Sequence, residues 1–179
     1  MELSAAQSLR NTHKPYRVDT GNPLALMSNV QCPLPKEQIM RSMTTYSLRP
    51  VGFVRSRLTV REGAPRQGSE GAPEAWVDID PAFAEALDGI AAEQDVILLT
   101  WLHQSDRDTL QVHPRDDPRK PLKGVFATRS PDRPNPIGLH RVRVLEIAES
   151  VCLRVEPLEA LDGTPVLDIK PVLPGSIDD

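Results

Sequence analysis

A mainly β fold, one sheet curling into a barrel, is what this sequence predicts, and three observations predict it. Short segments of alternating polarity recur at close intervals from residue 46 onward, seven to nine in all, separated by turn residues. Only one stretch carries helix-start chemistry. Eighteen prolines in 179 residues are about twice the usual share and argue against a helical bundle. One curved sheet closing on itself buries such a pattern. One or two short helices and an irregular N-terminal extension complete the expected architecture.

Taken in order, residues 1–42 show neither period. Gly21–Asn22–Pro23, Pro33 and Pro35 break them up, and they are expected to be a loosely packed extension to a domain over 43–179. Met43 lies just before the first strand, so the alternative expectation is that 1–42 is an over-extended reading or a dispensable leader. The intact mass of the native protein separates the two. Tyr46–Arg57 is β-like. Arg61–Ala75, with Gly63, Pro65, Gly68, Gly71 and Pro73, is a loop. Its glycines match neither a dinucleotide fingerprint nor a phosphate loop.

Trp76–Ile79 predicts a short strand. Asp80–Pro81 then supplies an N-cap and a first-turn proline for a helix to about Leu87, stopped by Gly89. Val96–Leu102 is apolar apart from Thr100 and predicts a central strand covered on both faces, ending at His103–Gln104. Leu110–His113 predicts another strand. Asp116–Lys123 is a charged loop.

Gly124–Leu139, GVFATRSPDRPNPIGL, is the chemically densest stretch. Pro131, Pro134 and Pro136 each fix their own φ and push the preceding residue into an extended conformation. Val125–Thr128 before this stiff piece is expected as a strand, and Ile137–Leu139 begins the next. Thr128, Arg129, Ser130, Arg133 and Asn135 place polar groups on the rigid segment, an arrangement suited to holding a ligand in one pose. The same pattern also describes a stiff turn with solvated arginines.

Val142 and Val144 share one parity and Leu145 and Ile147 the other, which predicts a bulge or a strand buried on both sides. Val151, Leu153 and Val155 alternate with polar partners in a second hairpin arm. Asp162–Gly163 marks a turn. Val166–Val172 is the last strand, and Pro171 places it at an edge.

Composition removes several functions. Hydrophobic and charged contents of 39% and 26% are those of an ordinary globular protein. No apolar run approaches the ~20 residues of a membrane span, and the N-terminus lacks the apolar core of a secretory signal. Cys32 and Cys152 form no metal-binding spacing or disulfide framework, so no metal is expected and a cytoplasmic location fits. Net charge is −4, yet Arg115–Arg143 holds eight Lys or Arg against three Asp, a local +5. That basic stretch is either a face for an anionic partner or a solvated rim.

PVGFVRS (50–56), APRQ (64–67), LHQ (102–104), FATRSPDRPNPIGL (126–139) and LDGTPVLDIKP (161–171) occur in that order. Together they resemble the TrmO, or TsaA-like, family of S-adenosylmethionine-dependent tRNA methyltransferases, over roughly Leu48–Pro174. The resemblance implies a single-sheeted barrel, a homodimer with S-adenosyl-L-methionine near the subunit interface, and methylation of the exocyclic amine of threonylcarbamoyl-adenosine beside the anticodon. It implies cofactor contacts at Pro65, Arg66, Gln67, His103, Gln104, Arg129, Leu139 and Glu156–Pro157–Leu158–Glu159, the last segment through backbone groups. Leu139 and Leu158 are the expected apolar walls for the adenine.

Asn135, Asp162, Asp168 and Lys170 are the candidate catalytic residues, Asn135 to accept from the target amine and the other three to position the substrate. Each also has a plainer reading, as a turn former or a surface ion pair. His113 and His140 match no family role and read as structural or surface residues. Two departures from the pattern stand out: Val172 replaces an aromatic that often follows Lys170–Pro171, and longer bacterial members carry a C-terminal tRNA-gripping domain, whereas this sequence stops at Asp179. The alternatives to a tRNA enzyme are a methyltransferase with a small-molecule acceptor and a non-catalytic cofactor-binding module.

Overall fold

In the computed structural model, residues 46–149 and 151–173 are described. The expectation for residues 1–42 lies outside them, as does Cys32. Eight strands occur among the described residues: β1 (Gly52–Arg55), β2 (Ala75–Ile79), β3 (Asp95–Trp101), β4 (Gln111–Val112), β5 (Lys123–Gly124), β6 (Ile137–Ala148), β7 (Cys152–Glu156) and β8 (Pro165–Pro171). Six of them close a barrel in the order β1-β2-β7-β6-β3-β8, and β4 and β5 form a separate two-stranded ribbon.

Side-chain alternation explains the closure. Val54, Val77, Leu98, Val142, Val144, Leu153, Val155 and Val166 all point inward and are almost wholly buried. Each removes apolar surface worth roughly 1.5–3 kcal/mol from water. Outside, charged residues pair across strands. Arg55 meets Asp78 at 2.8 Å, Arg154 meets Glu74 and Glu146, and both arginines lie over the Trp76 ring.

The parity change in β6 is a bulge: its register against β7 shifts between Val144 and Glu146. The helix after Asp80 is a 3-10 helix over Pro81–Leu87, capped by the Asp80 carboxylate accepting from the Ala82 N–H at 2.9 Å.

Three expectations are corrected. Val125–Ala127 is a 3-10 turn rather than a strand, because β5 ends at Gly124 and the chain must turn into the proline-braced loop. The first strand is confined to Gly52–Arg55. β8 is not an edge strand; it pairs with both β1 and β3. Its prolines, Pro165 and Pro171, sit at its two ends, where a missing N–H interrupts no interior ladder bond.

Candidate functional site

Three sequence-distant loops meet over the outer face of β6. They are the Arg61–Ala72 loop, the His103–Ser105 turn at the mouth of β3, and the Thr128–Pro136 loop. Arg61 ties them together. Its guanidinium donates to the Gln104 carbonyl at 3.2 Å and to both oxygens of Asp132 at 3.1 and 2.9 Å. Asp132 also accepts from the Asp106 N–H at 2.9 Å. The hydrogen bond to Asp132 raises the Arg61 guanidinium above its ordinary pKa. Arg107 adds a further tie, donating to the Pro134 carbonyl at 3.1 Å while lying over the Trp101 ring.

The 156–160 segment forms a further wall. Gly68 is pressed against it so closely that a Cβ there would stand 2.9 Å from Pro157 Cγ. Two ion pairs fasten the same loop to the 114–116 turn: Arg66–Asp116 at 3.0 Å and Arg115–Glu70 at 2.7 Å. Arg115 holds the Glu70 carboxyl below the usual carboxylate range.

The result is a broad open groove of about 2040 Å³. A small-molecule pocket spans roughly 300–1,000 Å³, so the groove has room for a cofactor and part of a larger partner. Pro65, Arg66 and Gln67 line it from one loop, His103 and Gln104 from the second, Arg129 from the third. Leu139 lines it from β6, and Glu156, Pro157 and Glu159 from the last wall.

Leu158 is the exception. Its side chain is fully buried in the barrel core, and its N–H donates to the Pro73 carbonyl. The expected apolar wall is instead Leu139 with Ile137, which are about half exposed, beside the far more exposed Phe126.

The donors of the rigid loop divide sharply. Arg133 spends its donors inside the loop, on the carbonyls of Ser130, Val125 and Thr128 at 2.7, 3.1 and 2.7 Å. The Thr128 hydroxyl donates to Val125 and accepts from the Ser130 N–H. Arg129 is exposed, and no hydrogen bond or ion pair engages its guanidinium among the described residues. A loop this internally braced can hold one arginine toward a ligand without losing its own shape.

Of the candidate catalytic residues, none lines the groove. Asn135 is exposed, and its carbonyl accepts from the Ile137 N–H. Asp162 accepts from the Ser56 N–H at 2.9 Å and braces the turn before β8. Asp168 and Lys170 pair with each other at 2.8 Å on β8.

His140, by contrast, is buried and lines the floor. Its Nε2 meets the Thr100 hydroxyl at 2.9 Å and its Nδ1 meets Glu159 Oε1 at 2.8 Å. The signal for this was present in sequence: His140 shares the inward parity of Val142 and Val144, and an inward histidine needs polar partners.

The donor set fits a charged nucleoside that carries its own carboxylate. It offers an unengaged guanidinium, an unburied apolar wall and the Glu159 carboxylate. No group of three or more His, Cys, Asp or Glu able to hold a metal occurs among the described residues.

The chain is also similar to several known proteins. A "Probable S-adenosyl-L-methionine-binding protein" of Methanothermobacter thermautotrophicus is 47% identical over 124 residues, 69% of this chain and 88% of its own. An "S-adenosyl-L-methionine-binding protein" of Archaeoglobus fulgidus is 42% identical over 127 residues, covering 71% and 89%. The crystal structure of TrmO from Pseudomonas aeruginosa superimposes with a TM-score of 0.60 at 35% identity, over 77% of this chain. The chain spans only 62% of that longer protein. The profile of the tRNA-methyltransferase O N-terminal domain matches residues 53–178, and the chain belongs to the TrmO family.

Proposed function

We propose that the barrel binds S-adenosyl-L-methionine in the groove and transfers its methyl group to the exocyclic amine of threonylcarbamoyl-adenosine beside the anticodon of tRNA. The carrying observation is the convergence of the three loops around an unengaged Arg129 and an unburied Leu139. When bound, the cofactor supplies a methyl group already activated on a cationic sulfur, so the chain's task is placement.

Arg129 holds the amino-acid carboxylate through charge-assisted hydrogen bonds. Leu139 and Ile137 shield the adenine from water. Pro65–Arg66–Gln67, His103–Gln104 and the backbone of 156–159 close around the remainder. The groove's excess volume and the basic 115–143 stretch suit a polyanionic acceptor. The protein acts in the cytoplasm, where its substrate is, as a homodimer.

Incubation with labelled methyl donor and tRNA carrying threonylcarbamoyl-adenosine, followed by nucleoside mass spectrometry, tests this. The expected product is the methylated nucleoside, absent from a deletion strain. An unchanged level in that strain removes tRNA as the acceptor.

A further inference from the structure

The polar residues inside the barrel make a line that ends in the groove. Thr100, on β3, is fully buried, and the His140 side chain, on β6, is 4% exposed. Glu159 is 20% exposed and lines the groove. His140 stands between the two, with Nδ1 on Glu159 and Nε2 on the Thr100 hydroxyl, so each ring nitrogen has a polar partner. Glu159 is thereby pinned through Oε1. Its other oxygen, Oε2, lies 3.5 Å from where a Gly68 Cβ would be.

Five carboxylates line the groove, and four are unsuited to holding a cation. Asp95 is taken by Arg141 and Arg143, and Asp116 by Arg66. Glu62 and Glu156 are exposed, so water screens them. Glu159 alone is mostly buried, fixed in orientation and matched to a histidine rather than to an arginine or lysine. A charge held in that way, in a partly desolvated wall, attracts a cation more strongly than a solvated one.

We propose that Glu159, clamped by His140 and Thr100, is the fixed negative charge that makes the groove bind a cationic sulfonium nucleoside in preference to its neutral thioether product. The inference rests on the cofactor reading above. Arg129, which serves the amino-acid carboxylate in that reading, lines the groove from a different loop. His140 and Thr100 are positioning residues: they reach the ligand only through Glu159. The consequence is release of the product once the positive charge has gone, with no conformational change required.

Calorimetric titration with S-adenosylmethionine and S-adenosylhomocysteine, on the full-length protein, tests it. Wild type is expected to bind the sulfonium form more tightly. Glu159→Gln keeps shape and hydrogen bonding but removes the charge; it should weaken the sulfonium form about tenfold and the thioether less than about twofold. His140→Gln should narrow the preference in the same direction. Thr100→Val should narrow it slightly, with Thr100→Ser restoring it. If His140→Gln fails to fold, Glu159→Gln decides alone. Equal weakening of both nucleosides by Glu159→Gln overturns the proposal, because the carboxylate then serves a group common to both. No change in either does the same. A wild-type protein that binds neither nucleoside is a distinct result and removes the cofactor reading as well.

Discussion

Arg61 and Asp132 lie 71 residues apart in sequence, and their side chains meet at 2.9 Å. An isolated pair this exposed contributes about 1 kcal/mol or less to stability. Its importance is positional, since the Arg61 guanidinium also reaches the carbonyl of Gln104 and so holds three loops in one arrangement. Arg61→Ala should therefore change Tm by only a few degrees and weaken S-adenosylmethionine binding by roughly tenfold, because the ligand must then order the loops itself. Calorimetry beside thermal denaturation separates the two effects. A large stability loss with unaltered affinity would contradict this account.

Arg129 gives the complementary case. Its guanidinium engages no partner among the described residues, so the folded domain loses little when it is removed. Arg129→Ala is expected to leave Tm within about 2 °C while lowering cofactor affinity at least tenfold. Arg129→Lys should recover part of that loss, since a point charge replaces a planar fork. Arg133→Ala, in the same loop, should do the opposite. It frees three carbonyls at once and is expected to destabilise the loop before it affects any ligand directly.

The sequence made the strands legible wherever alternation was strict, as at Leu153 and Val155, and even located the β6 bulge through the parity of Val144 and Leu145. Long-range pairing was less visible. Pro171 suggested an edge, yet nothing local says that β8 pairs with β1 across the closure at Gly52↔Val166. Val125–Ala127 has strand-like composition, but a two-residue β5 leaves it no ladder to join. At the site, motifs gave the three loops but not the division of labour within them. Arg129 and Arg133 look alike in sequence, and only the fold shows that one braces carbonyls while the other faces the groove. Likewise His140 matched no motif, because its role depends on Thr100, forty residues earlier, and Glu159, nineteen later.

Gly138 offers a test of that buried line without touching its charged member. A Cβ at this position would stand 2.4 Å from Thr100 Oγ1, 2.5 Å from His140 Nε2 and 3.1 Å from Leu102 Cδ2. Gly138→Ala must push Thr100 and His140 off their rotamers, at a cost of about 1–3 kcal/mol. A Tm fall of roughly 5–10 °C is expected. Gly63→Ala is the contrast. No atom lies within 4 Å of its added Cβ, and only its positive φ of 79° opposes the change, which should cost about 1 kcal/mol. Thermal denaturation of the two variants side by side distinguishes steric crowding from backbone preference.

Acid stability should trace to the carboxylates on the barrel exterior. The hydrogen bond from Arg55 holds Asp78 below the usual carboxylate range, and the hydrogen bond from Arg143, with Arg141, does the same for Asp95. A carboxylate depressed in the folded state binds its proton more readily when unfolded. Its contribution is therefore complete above the unfolded Asp value of about 3.9 and disappears as pH falls through the lower folded value. Asp95→Asn should lower stability at pH 7 by about 1 kcal/mol or less, as expected for solvent-facing pairs. The gap between variant and wild type should close as pH drops below about 3.9. Urea unfolding at pH 7, 4 and 2.5 measures both ends. A gap that persists at the lowest pH would assign the loss to the asparagine's packing instead of to the ion pairs with Arg141 and Arg143.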